Sequence, residues 1–248
     1  MRFSSETTDG GVTERRFTLD GVPGVLWSPA GAVGGRPLVL QGHGGGQHKL
    51  APGLVERARR WVARCGFAVA GLDAPGHGER PRTAEDEWFP AAVGELLANG
   101  EPIGERVARH TAALAERAVP EWRAVLDALQ RLDEVGADGP VGYWGLSLAS
   151  VVGVPLAAAE PRITAAVFGL AGHGSLDRPA ARVDAAVEFV VQWDDELVPR
   201  EAALALFDAF GTRAKVLHAN PGGHLEVPAA QVASSARALH RHLTGTDA

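Results

Sequence analysis

Val141-Gly142-Tyr143-Trp144-Gly145-Leu146-Ser147-Leu148-Ala149 joins a short apolar run to an alanine-rich helical stretch through a single serine. The first four residues read as a buried strand, and Leu148–Ala159 reads as a helix. A serine on so sharp a strand-to-helix turn is presented outward as a nucleophile, and small residues two positions either side of it let the turn pack. The helix that follows aims its first N–H groups at the site, where negative charge develops during acyl transfer. Position 149 is Ala where the usual pattern has Gly. The pentapeptide therefore gains its meaning from what the rest of the chain supplies.

Outward from this turn, short apolar runs alternate with longer helical patterns. Arg15–Leu19 and Val25–Trp27 read as early strands parted by the Asp20-Gly21 turn, and Leu38–Gln41 as a buried strand entering a glycine-rich loop. Leu54–Arg64 is an amphipathic helix closed by Gly66, and Ala68–Leu72 a strand followed by Asp73-Ala74-Pro75-Gly76-His77-Gly78. Residues 81–120 carry many charges, Trp88, Phe89 and an interrupted helical pattern; Glu121–Val135 is a helix. Ala165–Gly169, Val187–Gln192 and Lys215–His218 are further strands, with helices at Arg200–Phe210 and Ala229–Leu243. Such alternation predicts an α/β fold, a mostly parallel sheet with helices on both faces. Loops after the strands then gather along one edge, where sites in such sheets lie.

A serine needs a base within hydrogen-bond reach. His224, in Pro221-Gly222-Gly223-His224-Leu225, follows the last strand and precedes the last helix, and two glycines free its backbone to aim the ring. His218 sits at a strand end, and His173 in Gly172-His173-Gly174 follows an earlier strand; both are weaker candidates. The base needs a carboxylate to hold its tautomer. Asp195, just beyond Val187–Gln192, is the choice, with Asp194 and Asp177 as alternatives and helix capping before Pro199 as its structural reading. The order Ser147, Asp195, His224 favours the catalytic reading. Two backbone N–H groups should form an oxyanion hole. One is Leu148, and the other comes from Gln41-Gly42-His43-Gly44-Gly45-Gly46. If Gln41-Gly42 replaces a His-Gly pair, the donor is His43. If His43-Gly44-Gly45-Gly46 is the motif, it is Gly44 or Gly45. The strand ending at Gln41 favours His43.

Together the glycine-rich loop at 42–46, Asp73–Gly78, the turn at 145–149, Asp195 and His224 resemble the α/β-hydrolase superfamily, closest in texture to its dienelactone-hydrolase-like and small serine esterase groups. The resemblance spans about residues 15 to 245. It implies one α/β-hydrolase domain over 1–248, an eight-stranded sheet, a serine–histidine–aspartate triad and a cap inserted at about 80–120. The implied activity is cleavage of an ester, thioester or lactone through an acyl-enzyme, the alternative being a silent or non-hydrolytic member of the fold. Gln41 stands where such families often have His, Ala149 replaces a glycine, and Pro155 interrupts the helix after the serine. Trp88 and Phe89 are candidates to line a substrate pocket or to form the cap's own core, and Asp73–Gly78 reads as a structural turn.

A net charge of −6 offers no case for nucleic acid or anionic membranes as partners. No apolar run is long enough to span a bilayer, and the polar start lacks a signal-peptide pattern, so a cytoplasmic protein with a small-molecule substrate is expected. The single cysteine, Cys65, excludes an intrachain disulfide and reads as a core thiol. The glycines at 42–46 fit neither phosphate-binding nor dinucleotide-binding spacing, and His43, His48 and His77 match no common metal pattern. No cofactor and no metal are expected, and nothing in the sequence fixes an oligomeric state.

Overall fold

The computed structural model describes residues 1–99 and 104–246; positions 100–103, inside the expected cap, and 247–248 lie outside the described residues. In chain order the elements are β1 (Arg2–Asp9), β2 (Val12–Leu19), β3 (Val22–Pro29), β4 (Leu38–Gln41), α1 (Pro52–Cys65), β5 (Ala68–Leu72), α2 (Ala84–Ala98) and α3 (Gly104–Leu129). They continue with β6 (Val141–Trp144), α4 (Leu148–Ala159), β7 (Ile163–Gly169), α5 (Asp177–Ala180), β8 (Ala186–Gln192), α6 (Arg200–Ala209), β9 (Lys215–Asn220) and α7 (Ala229–Thr244).

The strands form one sheet in the order β1-β2-β3-β5-β4-β6-β7-β8-β9. From β5 to β9 every neighbouring pair is parallel, whereas β1, β2 and β3 add to the β5 edge as antiparallel strands. The sheet thus has nine strands, not the eight expected. The extra one is β1, whose residues are all exposed and which pairs with β2 at the edge of the sheet among the described residues. It carries no apolar alternation to announce it, because it buries nothing.

Strand side chains alternate between two cores. Leu38, Leu40, Ala166 and Phe168 face α3, α4 and α6. Val39, Ala165 and Val167 face α1 and α7. Helices on both faces follow directly from strands that are apolar on both sides.

Internal prolines do not break α3 or α4. α3 runs through Pro120 and α4 through Pro155. A proline removes one helical hydrogen bond. In α3 that loss is set against Leu114, Ala118, Trp122, Val125, Leu126 and Leu129, buried at helical spacing on both sides of Pro120. A single buried leucine of this kind is worth about 2–5 kcal/mol, so packing outweighs the missing bond. The helix expected at Glu121–Val135 is therefore the second half of a longer one that ends at Leu129.

Candidate active site

Four loops at the carboxyl ends of β4, β6, β8 and β9 converge on Ser147. This serine has φ 58° and ψ −123°, a conformation sparsely populated by any residue with a side chain. Such backbone costs about 1–3 kcal/mol and survives only where its surroundings fix it. Here the Ser147 N–H donates to the Gly169 carbonyl at 2.9 Å, and the Ser150 N–H to the Ser147 carbonyl at 2.8 Å. The fully buried Ser150 hydroxyl stands 2.7 Å from the Gly145 carbonyl and accepts the Gly169 N–H at 2.8 Å. The end of β7 and the first turn of α4 thus brace the turn.

Ala149 fits because its neighbours lack side chains. A methyl group at Gly42 would stand 2.6 Å from the Ala149 Cβ, and one at Gly145 would stand 2.7 Å from it. Both distances are far inside van der Waals contact. The alanine therefore occupies room left by two glycines and removes no functional group.

His224 Nε2 lies 2.8 Å from Ser147 Oγ. On its other side Nδ1 lies 2.8 Å from Asp195 Oδ2 and 3.0 Å from Oδ1. A carboxylate only accepts, so Nδ1 carries the proton and Nε2 offers its lone pair to the serine hydroxyl. Both His224 and Asp195 side chains are buried. Asp195 Oδ1 also accepts the N–H groups of Leu197 and Val198, each at 2.9 Å. The turn-capping role and the histidine-orienting role thus coexist in one carboxylate. Asp194 instead accepts the Gly222 N–H at 3.2 Å and does not touch His224. Glu196, which the sequence did not single out, accepts the His224 N–H at 2.9 Å and is held below the usual carboxylate range by that bond.

The rival histidines are engaged elsewhere. His218 pairs with Glu188 across β8 and β9. His173 contacts Ser175 Oγ at 2.7 Å, and burial pushes its pKa down. Asp177 begins α5.

Ser147, Leu148 and His224 open into a cavity of about 570 Å³. Its walls are largely apolar, with Phe89 and Val93 from α2, Val107 and Leu114 from α3 and Leu197 and Val198 from the Asp195 loop. Phe89 stacks on His110 with ring centroids 3.8 Å apart. Trp88 does not line the cavity; it is 53% exposed and lies under the Arg106 guanidinium. Of the two aromatic candidates, only Phe89 reaches the site. His77, in the Asp73–Gly78 turn, lines the cavity, and so do His110 and His173, whose place there is visible only once the loops are folded together.

The glycine-rich loop meets the cavity with its later glycines. Gly45 and Gly46 wall the cavity, and His43 and Gly44 do not. His43 is buried, its Nε2 accepting the Ala74 N–H at 3.0 Å and its Nδ1 lying 2.9 Å from the Gly44 carbonyl. The Gly44 N–H faces Gln47 Oε1 at 3.4 Å. Gln41, which ends β4, turns away to bond the Leu54 carbonyl and Arg57. Gly45 is the first residue of this loop to line the cavity. Leu148, whose N–H is the first of α4 and has no intrahelical acceptor, stands on the cavity wall as expected.

No family model and no curated protein matches the chain by sequence. Among solved structures it is similar to a cold-adapted esterase from an Arctic intertidal metagenomic library, with polyethylene glycol bound, at 35% identity and a TM-score of 0.80 over 98% of this chain and 100% of that one. Acetyl xylan esterase 1 from Thermoanaerobacterium sp. JW/SL YS485 is similar at 14% identity and a TM-score of 0.67, over 98% of this chain and 87% of that one. Est1E from Butyrivibrio proteoclasticus, with ferulic acid bound, is similar at 17% identity and a TM-score of 0.68, over 93% of this chain and 99% of that one. The chain belongs to the α/β-hydrolase superfamily.

Proposed function

We propose that the protein is a serine-dependent carboxylic ester hydrolase working through an acyl-enzyme. The observation that carries this reading is the 2.8 Å contact between His224 Nε2 and Ser147 Oγ, at a strained turn that opens into an apolar cavity. The likeness to the cold-adapted esterase supports the same reaction.

In this mechanism Ser147 Oγ attacks the substrate carbonyl while His224 Nε2 takes its proton. Asp195 stabilises the imidazolium that forms and remains ionised. The oxyanion develops against the N–H groups of Leu148 and Gly45, each such donor being worth about 2.7–4 kcal/mol in comparable sites. His224 then protonates the leaving alcohol. It next deprotonates the water that attacks the acyl carbonyl; the bond to Ser147 Oγ breaks, His224 returns the proton to Oγ, and the acid is released. Thioesters and lactones present the same carbonyl and fit the same steps. α2 and the first half of α3 act as the cap, placing Phe89, Val107 and Leu114 over the acyl or alcohol group. Among the described residues no helix is long and apolar enough to cross a membrane, and no group of residues is arranged to hold a metal ion.

The test is hydrolysis of a p-nitrophenyl ester beside labelling with a fluorophosphonate. Wild type should turn over the ester and be labelled at Ser147, and Ser147→Ala should do neither while remaining folded. A Ser147→Ala enzyme with wild-type turnover would remove the serine from the mechanism.

A further inference from the structure

The loop that carries Gly45 is closed by one turn, in which the Gln47 N–H donates to the Gly44 carbonyl at 3.2 Å and Gln47 Oε1 faces the Gly44 N–H at 3.4 Å. Gly44, Gly45 and Gly46 form its centre, and Gly46 has φ +71°. Three glycines in a row are the most mobile backbone a chain can offer, yet an oxyanion hole requires donors fixed before the reaction begins. That turn is anchored in its place at both ends of the run.

Both ends are moored to the segment 73–79. At the near end, the Ala74 N–H donates into His43 Nε2 at 3.0 Å, which places the ring proton on Nδ1, 2.9 Å from the Gly44 carbonyl. That carbonyl and the Gly45 N–H belong to one planar trans peptide, so they point in opposite directions. Holding the carbonyl back on His43 Nδ1 and the Gln47 N–H sets the direction of the Gly45 N–H.

At the far end stands Lys49, with its side chain 3% exposed. Its ammonium donates to Asp73 Oδ2 at 2.6 Å and to Glu79 Oε1 at 2.7 Å, and its backbone N–H donates to Asp73 Oδ1 at 2.8 Å. Asp73, with a fully buried side chain, also accepts the Glu79 N–H at 3.0 Å. Burial pushes the Asp73 pKa up, but the hydrogen bonds from Glu79 and Lys49 outweigh it and hold the carboxyl below the usual carboxylate range. Neither Lys49 nor Asp73 touches the cavity. A buried ion pair is a poor way to gain stability, since apolar residues of the same size often do as well. Its two-point grip on Asp73, through side chain and backbone of one lysine, fixes position.

We propose that Lys49 is a positioning residue for the oxyanion hole. Its clamp on Asp73 sets the loop through which the Gly45 N–H meets the developing oxyanion. This rests on the serine-hydrolase reading above. A displacement of about 1 Å in a catalytic group can cost about a hundredfold in rate.

The variants are Lys49→Met and, because an unpaired buried Asp73 could impair folding, Lys49→Met combined with Asp73→Asn, which leaves no buried charge unpaired. Rates are expressed per folded active site, and the probes are a p-nitrophenyl ester, its product acid and a trifluoromethyl ketone that forms a hemiketal oxyanion on Ser147. The expected result is a fall in kcat of about 10- to 100-fold with KM and product affinity little changed, matched by an equal loss of trifluoromethyl ketone affinity. Glu79→Gln, which keeps the Lys49–Asp73 contact, should retain most of the activity. Wild-type kcat and ketone affinity in the double variant, or a change confined to KM, would overturn the proposal. So would a drop in kcat with ketone affinity intact. A wild-type enzyme that neither turns over esters nor takes the fluorophosphonate would instead overturn the reading on which the proposal rests.

Discussion

The Asp195 carboxylate meets the His224 ring with both oxygens, Oδ2 at 2.8 Å and Oδ1 at 3.0 Å from Nδ1. Oδ1 is at the same time the acceptor for the Leu197 and Val198 N–H groups. The aspartate is thus fixed by its own turn before it fixes the histidine, and its orientation does not depend on substrate.

Replacing Asp195 by Asn turns this arrangement against catalysis. The amide oxygen stays with the two N–H groups of the turn, and the amide nitrogen then faces Nδ1. A donor there forces the ring proton onto Nε2, which can no longer accept from Ser147. Asp195→Asn should lower kcat by about 10⁴-fold, as wrong-tautomer variants do in comparable triads. Asp194→Asn, at a residue that touches only Gly222, should stay within about twofold of wild type, the ordinary range for surface substitutions. Steady-state ester hydrolysis distinguishes the two, and a reversed order would move the acid to Asp194.

His43 makes stability depend on pH. Burial, outweighing its bond to the Gly44 carbonyl, lowers its pKa from 6.5 to about 4. Between those values the unfolded chain binds a proton that the folded chain excludes, so stability falls as pH drops from about 6.5 towards 4 and then levels. The difference is up to about 3 kcal/mol. Asp73, with its pKa lowered, contributes in a separate window: its share is present above the ordinary carboxylate pKa and is lost as pH falls through its folded value. Urea unfolding at pH 7 and pH 4.5 should therefore show a larger loss in wild type than in His43→Gln. Equal losses would mean that His43 is charged in the folded protein.

The parallel core of the sheet was legible because β4 to β8 are mostly apolar and buried, a pattern that survives any error in their ends. The order of Ser147, Asp195 and His224 was legible for the same reason, each standing just after a strand. Three features were not. β1 buries nothing, so no periodicity marks it. Pro120 reads as a stop, and only the burial of Leu114 and Trp122 on either side shows that the helix continues. The glycine loop was the least legible: Gln41 does end β4, as expected, but the loop's course beyond it depends on the His43 ring reaching Ala74, a contact between residues far apart in sequence. Glycines carry no side chain from which such a course could be read.

Ala149 and Gly42 should be coupled. A methyl group at position 42 would lie 2.6 Å from the Ala149 Cβ and 2.7 Å from the Tyr143 hydroxyl, which itself donates to the Ala149 carbonyl. Gly42→Ala should destabilise the protein by about 1–3 kcal/mol, the usual cost of overpacking. In an Ala149→Gly background the same substitution should cost less, with a coupling of about 0.5–3 kcal/mol. Additive effects in urea unfolding would mean that the Tyr143 hydroxyl alone provides the obstruction.

Trp88 and Phe89 are adjacent in sequence and opposite in consequence. Trp88 is exposed and covered only by Arg106, so Trp88→Ala should leave kcat/KM within about twofold of wild type and cost at most about 1 kcal/mol of stability. Phe89 lines the cavity and stacks on His110 at 3.8 Å. Removing its ring takes apolar surface away from any bound acyl or alkyl group, and the lost burial of about 1–2 kcal/mol corresponds to about a tenfold fall in kcat/KM. Because that contact is present in ground state and transition state alike, the fall should lie in KM with kcat preserved. The effect should grow with the length of the ester's alkyl chain, which a series from p-nitrophenyl acetate to p-nitrophenyl octanoate would measure. An equal loss for the acetate and the octanoate would mean that Phe89 shapes the site through His110 instead of touching the substrate.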